Sequence, residues 1–460
     1  MNREDFFNKV REYAVAFGML DNDSGRKKKN VVIRKNIASD SDVPYFGLIR
    51  PEEQQSGSYS DFSLVFFPSK TKNDLYLMSL GVGSEGFRND YTLASQPGLR
   101  RLFLKLLPHD SNHAAFCKPD FLDIESPIKF EEAINDAEIN LERYKSVLQI
   151  GCLIDATEDK DLYLAKSWIA QYAYIRNWWN KGQKTEIDKA INAVVVSENP
   201  VDDEKKVKDL LNTREFVVLQ GAPGTGKTFL ANKIGKLYDE LYFIQFHGET
   251  TYSDFVEGFI PKLNSSTLEY ERKEGVLVES IKYANQTEKR VLLIIDEINR
   301  ANLSVVLGPV FYLFENTREK GEGKTIKLGD MEIDRVPKNL HVLATMNTAD
   351  RSIAVVDFAL RRRFAWYTIE PRFFGEVSTH GQELFNQIAN IFERHATDSE
   401  LNLQPGGAYF IAKDEESLKN KIEYELMPLI KEYLEEGFLS TAKTELSDFF
   451  YQAINKPLYK

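Results

Sequence analysis

The chain has 460 residues, 42% of them hydrophobic, which is enough for sizeable cores and, at about 150 residues per domain, for roughly three domains. Lys and Arg number 59 against 70 Asp and Glu, and the net charge of −11 excludes a protein that coats nucleic acid through its overall charge. The two cysteines, Cys117 and Cys152, are too few for a disulfide framework or a four-thiolate zinc site.

The sequence also lacks membrane and export signals. It has no run of about 18 apolar residues, so we expect no membrane-spanning helix. Its first ten residues lack the basic-then-apolar layout of a signal peptide. With the low cysteine content, these features predict a soluble protein of the cytoplasm.

The first segment of the chain is close to neutral. Residues 1–130 contain 18 Lys and Arg against 17 Asp and Glu, whereas residues 191–460 contain 33 against 42, a difference of −9. Apolar residues at helical spacing open the chain, and short apolar runs follow at 30–34, 62–67 and 75–80. This pattern predicts an α+β domain over 1–130, and we expect it to recognise the target.

Residues 131–195 are predicted to form a helical connector. Trp168, Tyr172 and Ile175 recur at helix spacing, and the segment contains no proline. We therefore place a domain boundary near 195.

Any contact with DNA must be local, and several features of the first 190 residues are compatible with it. They are the basic runs Arg26-Lys27-Lys28-Lys29 and Arg34-Lys35, the group Arg100, Arg101 and Lys105, the Gly- and Arg-containing loop 81–91, and Trp178-Trp179. Each basic run has the alternative of a solvated protein face. The two tryptophans could stack on a flipped base or pack domain against domain.

The next segment carries a phosphate-binding motif. Residues 216–220 are a buried-strand run, residues 229–238 continue as a helix, and a glycine loop lies between them. The loop is Gly221-Ala222-Pro223-Gly224-Thr225-Gly226-Lys227-Thr228. Its glycines allow backbone N–H groups to converge on phosphates, Lys227 would reach the β- and γ-phosphates, and Thr228 would ligate Mg²⁺. The alternative is a glycine turn that happens to end in Lys-Thr.

A second strand completes the predicted site. Residues 290–295 form an apolar, β-branched run that ends in Asp296 and Glu297. Such a strand belongs in the centre of a parallel sheet, with its carboxyl end at the ligand crevice. Asp296 can hold Mg²⁺ and Glu297 can polarise the attacking water; the alternative is an acidic strand end that caps the next helix.

Two further elements follow in the chain. A strand over 340–346 ends in Asn347, whose amide could orient the water or touch the γ-phosphate. Arg361, Arg362 and Arg363 then follow at a predicted helix end. Guanidinium groups stabilise charge on the γ-phosphate, and delivery by a neighbouring subunit is expected, with a solvated basic helix end as the alternative.

In this order and spacing, the motifs resemble an AAA+ P-loop NTPase module. The resemblance implies an α/β fold over residues 196–370, with a parallel sheet between helices, and a helical lid over 371–460. An α+β domain and a helical connector would precede it.

Longer motifs resemble the McrB family. They are Phe246-His247 with Tyr252-Ser253-Asp254-Phe255-Val256-Glu257-Gly258, Ile295-Asp296-Glu297-Ile298-Asn299-Arg300-Ala301-Asn302-Leu303-Ser304, Met346-Asn347-Thr348-Ala349-Asp350-Arg351-Ser352, and Val355-Val356-Asp357-Phe358-Ala359-Leu360-Arg361-Arg362-Arg363-Phe364. That family supplies the GTP-driven motor of a restriction system that cuts DNA carrying modified cytosine.

The resemblance implies a hexameric ring that hydrolyses GTP rather than ATP with Mg²⁺ and works in anti-phage restriction with a separate McrC-like nuclease subunit. It implies that Asn347 is the sensor, that Asp350 positions the water-activating network, and that Arg362 and Arg363 act in trans, oriented by Asp357. The first 190 residues do not match the family's modified-cytosine domain, so the DNA modification is left open.

The sequence departs from the family in the lid. Residues 404–410 contain Gly407 and Ala408 where family members have a polar pair.

The chain shows no clustered acid-acid-lysine set of a nuclease, and Asp120, Asp123 and Glu125 are interpreted as a solvated loop. Two alternatives stay open: a MoxR-like ATP-driven chaperone and a nucleotide-gated DNA-binding scaffold.

Overall fold

A computed structural model describes residues 2–19, 32–36, 44–50, 58–108, 113–194, 202–262, 269–315, 325–350, 358–374 and 379–459. Two compact units make up the chain: residues 1–200 with Glu393–His395, and Val201–Phe392 with Ala396–Lys460. The basic run at 26–29, Arg351, Ser352 and Asp357 lie outside the described residues.

The first unit combines a six-stranded sheet with helices. Its strands are β1 (Val32–Asn36), β2 (Tyr45–Ile49), β3 (Phe62–Pro68), β4 (Leu75–Val82), β5 (Ala115–Cys117) and β6 (Leu148–Asp155). Its helices are α1 (Arg3–Ala16), α2 (Tyr91–Ala94), α3 (Leu99–Leu104), α4 (Glu132–Asp136), α5 (Asp159–Ile175) and α6 (Lys181–Asn192). The strand order is β1-β2-β3-β4-β6-β5, and neighbouring strands pair antiparallel.

Apolar side chains cover both faces of this sheet. Along β3, Phe62 and Phe66 belong to the larger core with α1 and α5, whereas Val65 and Phe67 belong to a second core with α4. Successive side chains of a strand point to opposite faces, so a strand between two cores is buried along its length and mostly apolar.

This arrangement corrects the prediction for residues 131–195. Helices α4, α5 and α6 lie there, but β6 is a strand that pairs with β4 and β5. Residues 148–154 of β6 are all buried. Continuous burial removes the polar–apolar alternation by which a strand is recognised, so the helical prediction is wrong for Leu148–Asp155.

The second unit contains a five-stranded parallel sheet. Its strands are β7 (Phe216–Gly221), β8 (Glu240–Gln245), β11 (Val291–Asp296), β14 (Leu340–Asn347) and β15 (Ala365–Thr368), and two hairpins are formed by β9 (Glu257–Pro261) with β10 (Tyr270–Glu274) and by β12 (Ile326–Leu328) with β13 (Met331–Ile333). The sheet order is β15-β7-β14-β11-β8. The central strands β7, β14 and β11 are buried almost throughout, as predicted for strands apolar on both faces.

Helices cover both faces of the parallel sheet. They are α7 (Asp203–Arg214), α8 (Lys227–Gly235), α9 (Tyr252–Phe255), α10 (Val276–Asn285), α11 (Leu303–Leu307) and α12 (Phe358–Arg363). Val207 and Leu211 of α7 share a core with Ile234 of α8, whereas Leu277 and Ile281 of α10 belong to the core on the other face. The predicted α/β module is confirmed.

The chain ends in a helical region, which we call the lid. Its helices are α13 (Thr379–His395), α14 (Glu415–Lys421), α15 (Met427–Glu435) and α16 (Lys443–Ile454), with a π-helical turn at Ile422–Leu426 between α14 and α15. Leu384, Ile388, Phe410, Ile430 and Phe450 contribute to its own apolar core. Over the described ranges of both units, no helix combines the length and apolar character needed to cross a membrane.

Candidate active site

The glycine loop lies between β7 and α8, in the order that a phosphate-binding loop requires. Gly224 and Gly226 have φ of +76° and +87°, in the left-handed region where a Cβ would be strained. Helix α8 begins at Lys227, so its free N–H groups face the loop. The backbone therefore offers converging donors for phosphate oxygens.

Lys227 is held by its own loop. Its side chain is buried, and Nζ donates to the carbonyls of Gly221 at 2.9 Å and Ala222 at 2.8 Å. Burial lowers the pKa of Lys227 to about 8, against the opposing effect of the nearby carboxylates of Glu297, Asp350 and Asp296. A phosphate at the loop would replace carbonyl dipoles with full negative charge and favour the ammonium form.

Thr228, Asp296 and Thr345 form an oxygen cluster at the start of α8. Asp296 Oδ1 accepts hydrogen bonds from Thr228 Oγ1 at 2.9 Å and from Thr345 Oγ1 at 2.6 Å. A carboxylate and a hydroxyl beside a phosphate loop are the oxygen ligands that Mg²⁺ takes together with nucleotide phosphates and water. Thr228 and Asp296 fit the predicted role, and Mg²⁺ held there would neutralise charge on the phosphates.

Glu297 follows directly after β11. Its φ of +55° is unusual for a residue with a side chain, and its N–H donates to Thr345 Oγ1 at 3.0 Å. The hydroxyl of Thr345 thus joins the backbone of Glu297 to the carboxylate of Asp296. Burial raises the pKa of Glu297, with Asp350 and Asp296 adding to the rise and the nearby Arg300 opposing it. A raised pKa suits a carboxylate that must take a proton from water.

Asn347 and Asp350 lie at the end of β14. Asn347 is opposite Gly221 in the sheet register, so it lies beside the start of the phosphate loop. Its Oδ1 accepts the N–H of Ala349 at 3.2 Å. Arg300 contacts Asp350 Oδ2 at 3.2 Å and lies 3.7 Å from Glu297 Oε2, so it connects the two acids.

The three arginines of α12 differ in their surroundings. Arg363 donates to Glu315 Oε1 at 2.6 Å and lies over the ring of Phe311, and Arg361 lies over the ring of Trp366. Arg362 is exposed. Of the two arginines predicted to act in trans, Arg362 is therefore the more accessible to a neighbouring molecule.

Sequence reasoning missed Thr345 and gave Asn299 and Arg300 no individual role. Thr345 is 1% exposed and contacts both acids of the site. It precedes Asn347 by two positions, so strand alternation places both side chains on the same face and provided a usable signal. Asn299 Nδ2 reaches the carbonyl of Asn347 at 3.4 Å, and no pattern in the sequence indicated this contact.

Several of the features that are compatible with DNA contact have partners within the first unit, and the run at 26–29 lies outside the described residues. Trp178 packs edge-on against Tyr172, and Trp179 stacks on Tyr174. In the loop 81–91, the N–H groups of residues 88, 89 and 90 all donate to Asp61. Arg100 donates to the carbonyl of Lys118. These contacts agree with the alternative of packing within the protein and leave DNA binding as a proposal.

Among the described residues, no group of three or more His, Cys, Asp and Glu side chains could hold a metal ion. Residues 120–126 form the expected loop. There Asp123 accepts the N–H groups of Glu125 and Ser126, and these bonds lower its pKa to about 2.

Comparison with known proteins gives matches over part of the chain. Residues 216–364 match the model of the AAA domain of the dynein-related subfamily. The Type IV methyl-directed restriction enzyme EcoKMcrB subunit of Escherichia coli (strain K12) is 38% identical over 204 residues, which are 41% of this chain and 43% of that protein. The Type II restriction enzyme BsuMI component YdiS of Bacillus subtilis (strain 168) is 26% identical over 193 residues, 33% of this chain and 56% of that protein.

The chain thus spans about half the length of the curated relatives it matches. The matches and the geometry agree on a P-loop nucleoside triphosphatase related to subunits of restriction enzymes.

Proposed function

We propose that this chain belongs to the McrB family, because it is 38% identical over 204 residues to a restriction enzyme subunit and contains an AAA domain. We further infer that it is the GTP-hydrolysing motor subunit of a DNA restriction system. The observation that carries the proposal is the convergence of Asp296, Glu297, Asn347 and Asp350 at one phosphate loop, connected through Thr345 and Arg300. A protein that only binds nucleotide needs the loop but not a carboxylate with a raised pKa beside it.

Each residue has a distinct task in hydrolysis. The loop amides and Lys227 bind the phosphates, and Thr228 and Asp296 hold Mg²⁺. Glu297 accepts the proton of the attacking water while Asn347 and Asp350 orient the water and the carboxylate. The positive φ of Glu297, fixed by the bond from its N–H to Thr345, sets the direction of the carboxylate.

We further propose that the chain forms a ring, with six subunits as in the family it resembles. Arg362 is exposed near the end of α12. From there its side chain could reach the phosphate site of a neighbouring subunit. An arginine supplied in this way stabilises charge on the γ-phosphate in the transition state.

We assign DNA cleavage to a separate protein and target choice to the first unit of this chain. Both relatives are named as one part of a restriction enzyme, a subunit or a component. By analogy, a separate McrC-like nuclease would cut the DNA, and the first unit of this chain would recognise the target, with modified DNA as the candidate. We place the system in the cytoplasm, where the free thiols of Cys117 and Cys152 would stay reduced.

The nucleotide is tested by measuring GTP and ATP turnover of the purified chain at equal concentrations, with Lys227→Ala as the inactive control. We expect faster GTP turnover, because the segment 346–350 resembles the family's guanine-nucleotide motif. Faster ATP turnover would contradict the guanine preference and would favour the chaperone alternative.

The partner is tested by adding the McrC-like nuclease from the same genome. We expect GTP turnover to rise on addition and DNA carrying a modified base to be cut only when both proteins are present. Unchanged turnover and no cutting over a panel of modified and unmodified DNA would contradict the restriction role while leaving the triphosphatase intact.

A further inference from the structure

A turn of the lid contacts the phosphate loop from outside. It comprises residues 406–409, which we call the lid turn: Gly406 is the N-cap of the short 3-10 helix Gly407–Phe410, and the other three residues belong to that helix. The N–H of Gly406 donates to the carbonyl of Pro223 at 2.8 Å, and the N–H of Ala408 donates to the carbonyl of Gly224 at 3.1 Å. These bonds join two segments about 180 residues apart in the chain.

The lid turn completes the set of partners for the loop carbonyls. Lys227 Nζ donates to the carbonyls of Gly221 and Ala222, and Gly221 also accepts the N–H of Thr348. The lid turn supplies the partners of the next two carbonyls, at Pro223 and Gly224. All the carbonyls from residue 221 to residue 224 therefore have donors in the protein.

The direction of these carbonyls decides where the loop donors point. In a trans peptide the C=O of one residue and the N–H of the next are antiparallel, and the described residues contain no cis peptide. When the carbonyls of Pro223 and Gly224 point to the lid turn, the N–H groups of Gly224 and Thr225 point away from it. These are amides of the kind that surround the α- and β-phosphates in a phosphate loop.

The contact is too close for any side chain. A Cβ on Gly406 would lie 2.2 Å from the carbonyl oxygen of Gly224 and 2.4 Å from the nitrogen of Thr225. A Cβ on Gly407 would lie 2.3 Å from the carbonyl oxygen of Arg372, which accepts the N–H of Gly407. Glycine at both positions allows the backbone of the lid turn to lie directly against its neighbours.

The lid turn is anchored in the lid. Phe410 is fully buried and packs edge-on against Phe385 of α13, and Lys421 Nζ of α14 donates to the carbonyl of Ala408 at 3.0 Å. The ring of Tyr409 lies so close to Gly224 that a Cβ there would be 2.8 Å from it. Movement of the lid helices would therefore displace the carbonyls of the phosphate loop.

We propose that the lid turn is a positioning element for nucleotide binding, in which the backbone N–H groups of Gly406 and Ala408 orient the phosphate-loop amides of Gly224 and Thr225 toward the phosphates. Gly406, Gly407 and Lys421 are positioning residues in this scheme, because they act through the loop and not on the nucleotide.

The test is nucleotide affinity, measured with fluorescent mant-GDP and mant-ADP on the full chain. Gly406→Ala should raise the Kd of the nucleotide that wild type binds by about tenfold or more, since misdirected amides lose charge-assisted bonds to phosphate. Lys421→Met, which removes only the anchor of Ala408, should raise Kd by about threefold. In turnover assays both variants should raise KM and leave kcat within about twofold of wild type, because the hydrolytic residues are untouched.

Two matched variants serve as controls. Gly182→Ala makes the same change at an exposed helical glycine where the added Cβ meets only ordinary contact, and Lys419→Met removes an exposed lysine from the same helix as Lys421. Both control variants should bind the nucleotide with the Kd of the wild-type protein. Thermal unfolding of each variant shows whether a loss of affinity comes from a misfolded protein or from misoriented loop amides. If Gly406→Ala does not fold, Lys421→Met provides the test. Wild-type affinity in folded Gly406→Ala and Lys421→Met would overturn the proposal.

Discussion

Thr345 is the residue whose removal gives the sharpest test of the site. Its hydroxyl donates to Asp296 Oδ1 at 2.6 Å and accepts the N–H of Glu297 at 3.0 Å, and the side chain is 1% exposed. Thr345→Val replaces the hydroxyl by a methyl group of nearly the same size. Both hydrogen bonds are lost while the packing is kept.

The magnitude follows from the two bonds. A hydrogen bond to a charged group contributes about 1.5–3 kcal/mol, and leaving the N–H of Glu297 without its partner costs about 1–3 kcal/mol. The new methyl group returns about 0.8 kcal/mol through burial. We expect the free energy of unfolding to fall by about 2–5 kcal/mol. The affinity for Mg²⁺ with nucleotide should also fall, because Asp296 loses one of the two hydroxyl groups that orient it.

The assay is urea unfolding followed by circular dichroism, with Mg²⁺ titrations of turnover in parallel. Thr345→Ser is the control, since it keeps the hydroxyl and removes one buried methyl group at about 1 kcal/mol. The serine variant should keep most of its activity. If the valine variant unfolds within about 0.5 kcal/mol of wild type, or if serine is the more damaging change, the hydroxyl does not connect the two acids.

Three further outcomes follow from the site. Arg300 opposes the burial that raises the pKa of Glu297, so Arg300→Gln should move the acid limb of the pH–rate profile to higher pH, where protonated Glu297 cannot accept a proton; an unmoved limb would contradict this. Burial lowers the pKa of Lys227 to about 8, so its ammonium group loses its charge as the pH rises above 8. The affinity for nucleotide should therefore fall and the Kd rise over this range in a binding titration. The Kd of Lys227→Met should not change over the same range. If Arg362 acts in trans, mixing Arg362→Ala with Glu297→Gln subunits should give more GTP turnover than either variant alone, and turnover no higher than the sum would argue for action within one chain.

The sequence predicted the parallel sheet and the site at its edge because both depend on local patterns. The apolar runs before Gly221 and Asp296 are strands buried on both faces, and parallel strands bring their carboxyl ends to one edge of the sheet. The positions of Thr228, Asp296 and Asn347 follow directly. A motif that sets a backbone shape is therefore recognisable without a structure.

The strand β6 and the lid turn could not be predicted in the same way. Residues 148–155 lie between two helical segments and are buried between two cores, so neither alternation nor flanking turns identified a strand. Gly406 lies against Pro223 and Gly224 through backbone bonds that involve no side-chain pattern. A long-range contact between backbone atoms is visible in the sequence only as a glycine. Because glycines occur for many structural reasons, that signal does not identify the contact.

The most direct test of the account compares binding with hydrolysis in Glu297→Gln. The substitution keeps the size and the backbone of the residue and removes its ability to take a proton. We predict that the variant binds GTP with wild-type affinity while its single-turnover hydrolysis rate falls by about a hundredfold or more. Hydrolysis near the wild-type rate would contradict the assignment of Glu297, and with it the active site described above.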